Sequence, residues 1–422
     1  MTGEDDMNRR WFGKSILASI AAAATAGARA AKAAASAAPA YNELVPGLKV
    51  IRNDKVRLGA QGTGGGETTI SQENIDYQKR WGIKYITASV ESPRGVPGVL
   101  PNGAAAEAAA RAARAAGGSP TGPRGPGRMT PTEPWNLDGL KQIRDVLAEN
   151  DLVFEGLRMD SAYITMKPGP ERERYLELIC DNVRKAGLAG VKLISTHWNL
   201  SPIRRNFTLP GRGNSTYVGF KLEPNWKDLP PLPAAPVSSD EYWERLDTFM
   251  KAVIPVCKES NVNFATHPYD PGGLPLGYLG VDNWDDGDFI KAMLRYEKLY
   301  DDPHNGFQYD TGVAGESLPS GTSQIALLHG LLQRKKVHQF HFRNVRGGLL
   351  NFIEVYHDEG DVDLFNIIRL LRDMNWEGSL LPDHSVENPG DHSGLQSFAF
   401  SNGYIKGLLK AADEEAVRAT SA

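Results

Sequence analysis

Residues 337–384 read VHQFHFRNVRGGLLNFIEVYHDEGDVDLFNIIRLLRDMNWEGSLLPDH, and this stretch decides the fold. VHQFHFRNV alternates like a strand, and DLFNIIRLLRDMNW repeats its apolar residues at helical spacing. EGSLLPDH is again a short apolar strand. Two parallel strands joined by a helix bring their carboxyl ends to one edge of a sheet. Those ends carry His341 and Asp383, side chains that bind divalent metals well. The stretch therefore predicts a metal site at the carboxyl edge of a parallel sheet.

Outward from it, the same strand-helix rhythm fills most of the chain. VRLGAQG (Val56 to Gly62) precedes a helix over Gln72 to Trp81, and YITAS (Tyr85 to Ser89) precedes a helix over Leu137 to Ala148. LVFEGLRM (Leu152 to Met159) leads to a helix from Glu171 to Lys185, and VKLIST (Val191 to Thr196) to one from Asp240 to Glu259. VNFATHPYD (Val262 to Asp270) leads to Asp288 to Tyr300, and GFQYDTG (Gly306 to Gly312) to Ser323 to Lys335. A last helix is expected over Leu395 to Ala412. With the opening stretch this makes eight units, the count of a single (β/α)8 TIM barrel, here over residues 41–422 with loop insertions. A doubly wound sheet is the other α/β arrangement, but it needs neither eight units nor polar residues gathered after the later strands.

Three segments interrupt the rhythm. Ser92 to Thr132 is an Ala/Gly/Pro-rich insertion, read as a surface hairpin or a disordered tract. Arg205 to Pro236 is a long Gly/Pro/Asn-rich loop after the fourth strand, expected to form a lid or wall of the site. GTGGGE (Gly62 to Glu67) lacks the Lys-Ser/Thr of a phosphate loop and reads as a flexible connection.

Residues 1–40 read as a leader outside the fold. Arg9-Arg10 stands before Phe12 and Lys14, with a mildly apolar run and small residues around Ala34 to Ala40 behind it. This is the twin-arginine export pattern, and it predicts a periplasmic protein that leaves the cytoplasm folded. The apolar run is too short and too weakly apolar for a membrane span, so no membrane association is expected after signal cleavage.

A net charge of -4 gives no general attraction to nucleic acid or anionic lipid. The two cysteines, Cys180 and Cys257, fall inside expected helices and read as buried thiols with no disulfide framework.

Four consecutive late strands each end in a metal-competent side chain: His267 in THPYD, Asp310 in QYDTG, His341 in FHFRN and Asp383 in PDH. Two imidazoles and two carboxylates with open positions suit Mn2+ best, with Zn2+, Fe2+ or Co2+ as alternatives. His338, three residues before His341, points to the opposite face and reads as structural. His384 follows Asp383 where the strand turns into its loop, within reach of anything bound to the ion. Arg343 and Asn344 are candidates to hold a substrate carboxylate or hydroxyls, and Glu354 and His357 to line the mouth. His197 ends the fourth strand and either contacts a sugar or fills the rim; Tyr404, in SNGYIKG, either reaches back toward the site or belongs to the core.

These residues fall into motifs that resemble the mannonate dehydratases of the xylose-isomerase-like barrel superfamily. The match runs through HP-x-DP at His267 to Pro271, H-x-RN at His341 to Asn344 and F-x-E-x-x-H-x-x-G at Phe352 to Gly360. PDH at Pro382 to His384 and GY at Gly403-Tyr404 complete it. The resemblance implies metal ligands at His267, His341 and Asp383 and an acid-base pair at His384 and Tyr404. It implies a hydro-lyase that converts D-mannonate to 2-keto-3-deoxygluconate with Mn2+. Asp310 occupies the position of a family cysteine, Leu381 that of an arginine and Ser385 that of a glycine.

The expected partner is thus a small sugar acid or carbohydrate, and a homo-oligomer is compatible with the sequence. The competing reading is an isomerase, epimerase or eliminase acting on a periplasmic keto-glycoside or uronate. A non-catalytic sugar-binding barrel would show damaged ligand positions, and all four hold competent groups.

Overall fold

The structure is a computed structural model and describes residues 41–61, 72–89, 134–200, 205–231, 237–280, 287–391 and 394–421. The leader, the Gly62 to Glu67 segment and the Ser92 to Thr132 insertion lie outside these residues. Residues 1–47 form a separate unit whose described part contains one helical turn, Tyr41–Leu44.

Residues 48–421 build the barrel. In chain order its elements are β1 (Val56–Gln61), α1 (Gln72–Trp81), β2 (Tyr85–Ser89), α2 (Leu137–Glu149), β3 (Val153–Arg158), α3 (Pro170–Leu188) and β4 (Leu193–His197). Then come β5 (Phe207–Pro210), β6 (Thr216–Lys221), α4 (Ser239–Ser260), β7 (Asn263–His267), α5 (Phe289–Leu299), β8 (Asn305–Asp310), α6 (Thr311–Ser317) and α7 (Ile325–Gln333). The chain ends with β9 (Val337–His341), β10 (Asn344–Gly348), β11 (Asn351–Val355), α8 (Leu364–Asp373), β12 (Gly378–Leu381) and α9 (Leu395–Ser421).

Eight strands close in the order β1-β12-β9-β8-β7-β4-β3-β2, all parallel. The ring closes where Val56 pairs with Gly378. Parallel strands buried on both faces need continuous apolar or satisfied residues, and LISTH and NGFQYD are buried throughout. The outer helices start where the sequence signals them. Ser238 and Glu241 form a reciprocal capping box on α4, and Asp363 accepts the Asn366 N–H on α8.

The fold differs from the sequence expectation in one region. VHQFHFRNV is two strands rather than one, because β9 stops at His341 and β10 starts at Asn344 in a different sheet. The break is fixed by Phe342 N–H donating to Leu381 O at 2.8 Å and Arg343 N–H donating to Thr311 Oγ1 at 3.0 Å. From there β10 and β11 fold back as a hairpin, and the expected Arg205 to Pro236 loop contains a second hairpin, β5–β6. The two hairpins join as a four-stranded sheet, β10-β11-β6-β5. Phe220, Leu274, Tyr278, Leu279, Val345 and Phe352 form a buried cluster that packs this small sheet onto the loop after β7. Gly347 sits at φ +100, with the Asn351 carbonyl where a Cβ would lie, so this bend requires glycine. The wall expected after β4 is present, built of sheet rather than loop.

Candidate metal centre

Register brings the candidate ligands to one level. His197 on β4 pairs directly with His267 on β7, and Asp310 on β8 pairs with His341 on β9. Asp383 follows the end of β12, which pairs with β9 through Leu381 and His341. Donor atoms of His267, Asp310, His341 and Asp383 lie within 4.8 Å of one another. His267, Asp310 and His341 are fully buried, while Asp383 keeps a partly open face.

The donors are oriented for a cation. His267 Nδ1–H donates to the Pro268 carbonyl at 2.7 Å, which leaves Nε2 with its lone pair facing Asp310 Oδ2 at 3.2 Å. His341 Nδ1 faces Asp383 Oδ1 at 3.3 Å, and burial, partly offset by Asp383, holds this imidazole below its ordinary pKa. Neutral imidazole nitrogens facing carboxylate oxygens are the donor set that a divalent transition ion completes.

The surrounding charge says the same. Arg343 Nε lies 3.0 Å from Asp310 Oδ2 and 3.7 Å from Asp383 Oδ2, and its other nitrogens reach Asp270 at 3.5 Å and Glu316 at 3.3 Å. Arg205, at the start of the wall, reaches Asp270 at 2.9 Å, Glu316 at 3.3 Å and Glu354 at 2.6 Å. Two guanidiniums therefore face five carboxylates, an excess of acidic groups around the candidate ligands. Burial pushes Glu316 well above the carboxylate range.

Within this network Asp270 and Glu354 stay ionised. Burial alone would raise both. For Asp270 the Arg205 and Arg343 charges outweigh it; for Glu354 His384 and Arg205 do. His384 Nδ1 lies 2.7 Å from Glu354 Oε1, and its Nε2 lies 3.2 Å from Asp383 Oδ2. His384, Glu354 and Asp383 form the open side of the centre, with side chains 14%, 12% and 12% exposed.

The other predicted residues are committed to contacts within the protein. Arg343 was expected to meet substrate, but it is buried with its guanidinium on protein carboxylates. The Asn344 side chain donates to the His357 and Val362 carbonyls at 2.9 and 3.1 Å and accepts from two backbone N–H groups, so it ties the loop. His357 Nε2–H donates to Phe342 O at 2.6 Å, and burial lowers its pKa to about 4. Tyr404 on α9 packs its ring on His357 (6.1 Å) and Phe400 (6.3 Å). His197 stacks on His267 with centroids 3.7 Å apart and planes 10° from parallel. His338 packs against Gly306, and burial lowers its pKa to about 3, consistent with a structural residue.

Arg205, Asp270 and Glu316 were not singled out from the sequence as site residues. Asp270 carried a signal, as the acid of HP-x-DP, whereas Arg205 and Glu316 sit in segments with no local pattern.

Fold and site together define a (β/α)8 barrel with a buried His/Asp centre competent for a divalent metal. Residues 234–419 match the family model described as D-mannonate dehydratase (UxuA). A mannonate dehydratase of Streptococcus pneumoniae is 26% identical over 314 residues, covering 66% of this chain and 83% of that protein. That of Thermotoga petrophila is 26% identical over 339 residues, covering 67% and 88%. The crystal structure of mannonate dehydratase from Streptococcus suis serotype 2 superposes with a TM-score of 0.62 at 22% identity, covering 86% of this chain and 96% of that one. Over these residues the chain is similar to the mannonate dehydratases.

Proposed function

We propose that this chain is a metal-dependent hydro-lyase that dehydrates a sugar acid, with D-mannonate the first candidate and a 2-keto-3-deoxy acid the product. The observation that carries the reading is the convergence of His267, Asp310, His341 and Asp383, with His384 on the open side of the same cup. His267, Asp310, His341 and Asp383 would hold the ion, Mn2+ fitting two imidazoles and two carboxylates best. When bound, such an ion supplies Lewis acidity toward a substrate carboxylate and an adjacent hydroxyl.

The chain's own groups supply the proton chemistry. His384 exchanges a proton at Nε2, while Glu354 holds Nδ1 and so fixes the ring. Loss of water needs a proton removed from the C–H next to the carboxylate and one delivered to the departing hydroxyl. His384 serves one of these steps, and Tyr404 is the family-derived candidate for the other. His197 and Glu354 line the cup where a polyhydroxy acid would lie. Arg343, paired with Asp310 and Asp383, keeps these ligands in place, while Arg205 holds Asp270 and Glu354. The twin-arginine pattern at Arg9-Arg10 supports a periplasmic site of action for a protein exported already folded.

Incubating the Mn2+-loaded protein with D-mannonate and assaying for a 2-keto-3-deoxy acid tests the reading. Formation of that product supports it. Isomerisation or epimerisation of a neutral sugar, with mannonate untouched, would replace it by the isomerase alternative.

A further inference from the structure

We propose a second cation position in the same cup, formed by His197, His267 and His341, which takes softer ions such as Zn2+ away from the carboxylates. This rests on reading the cup as a metal centre. One nitrogen from each of these three buried rings lies within 4.8 Å of the others. The β4–β7 register sets His197 beside His267, and the His341 ring lies 4.9 Å from His267 and 6.1 Å from His197.

The two positions share His267 and His341. His267 has one nitrogen to give, because its Nδ1–H is held by the Pro268 carbonyl. One ion therefore occupies one position at a time. The positions differ in hardness. Asp310 and Asp383 make the first a mixed oxygen-nitrogen site that suits Mn2+, whereas His197 makes the second an all-imidazole site. Three imidazoles and an open fourth position are a known zinc environment.

The stack between His197 and His267 sets a condition. Parallel rings 3.7 Å apart direct their in-plane lone pairs side by side rather than to a common point. Occupying the all-imidazole position therefore turns the His197 ring out of the stack. The cup then sorts cations: a hard ion stays between the carboxylates, and a soft ion moves toward β4.

The test uses the full chain loaded separately with Zn2+ and Mn2+, read by X-ray absorption and by chelator competition. The Zn2+-loaded wild type is expected to show three imidazole ligands. His197→Gln is expected to weaken Zn2+ binding by about tenfold or more while Mn2+ binding holds, and Asp310→Asn to do the reverse. Two imidazoles with a carboxylate on zinc would overturn the proposal. Zn2+ affinity unchanged by His197→Gln would overturn it too. The wild-type spectrum decides the matter even if a variant fails to fold. A wild type that binds neither ion would instead remove the metal-centre reading itself.

Discussion

Glu354 Oε1 lies 2.7 Å from His384 Nδ1 and also 2.7 Å from Arg205 Nε, so one carboxylate oxygen joins the wall to the candidate acid-base residue. Glu354 belongs to β11, in the small sheet, and His384 to the loop after β12, in the barrel. The small sheet thereby orients a side chain that the barrel supplies.

Glu354→Gln should lower kcat by about tenfold to a hundredfold, the usual loss when an outer group that orients a functional imidazole is removed. Metal content should stay at the wild-type level, because Glu354 is not among the converging donors. Steady-state kinetics with parallel metal analysis makes the check, and an unchanged kcat would free His384 from this partner.

His384→Ala should abolish measurable turnover, a loss of about 10²–10⁴-fold if proton transfer is its role. The protein should keep its metal, since His384 touches Asp383 without belonging to the ligand set. Wild-type turnover in the variant would remove His384 from the mechanism.

Asp310 has two tasks, and they can be separated. Its Oδ1 accepts the Val313 N–H at 2.8 Å and caps α6, while Oδ2 faces His267 and Arg343. Asp310→Ala should lose metal and the cap together. Asp310→Asn keeps a capping oxygen but removes the ligand charge, so metal content should fall while thermal stability of the apo protein changes little. Unchanged metal content in both variants would drop Asp310 from the ligand set.

Arg205→Met should destabilise the protein by about 3–5 kcal/mol, because Asp270 and Glu354 lose one of their two buried guanidinium partners. The Asp270 side chain is fully buried, so water cannot replace the guanidinium there. Denaturant titration measures the loss, and a variant as stable as wild type would show that the network is not needed for folding.

Stability should fall as the pH drops, in two windows. His357 and His338 have native pKa values of about 4 and about 3, below the roughly 6.5 of an unfolded histidine. Between about pH 6.5 and 4 the unfolded chain therefore binds protons that the native state refuses, and stability declines. Asp270 and Glu354, held below the carboxylate range, add a further loss below about pH 4, as their unfolded forms protonate. Glu316, raised by burial, works in the opposite sense, costing stability as the pH rises above the unfolded value. Denaturation midpoints at pH 7.5, 5.5 and 4.5 give the slope, and His357→Gln should flatten the upper window. A flat profile from pH 7.5 to 4.5 would contradict these assignments.

Most of the barrel was legible because each buried parallel strand is a short apolar run that ends in a polar residue, and each helix keeps its period. His267, Asp310, His341 and Asp383 were legible for the same reason, since a strand end is a position that sequence defines. The small sheet was hidden. Phe207–Pro210 and Thr216–Lys221 are short, interrupted by glycine and flanked by prolines, so they read as loop until β11 pairs with them. The roles of Arg343 and Asn344 were hidden too, because the strand break after His341 depends on Thr311, thirty-two residues before Arg343. Arg205 could not be found from pattern, since its partners come from three separate segments of the chain.

The most direct test of the central claim is anomalous diffraction from crystals grown with Mn2+. The account predicts one buried peak coordinated by His267 Nε2, His341 Nδ1 and carboxylate oxygens of Asp310 and Asp383, at about 2.0–2.3 Å. A fully occupied peak elsewhere in the protein, with these four side chains bound to one another and not to the ion, would contradict it.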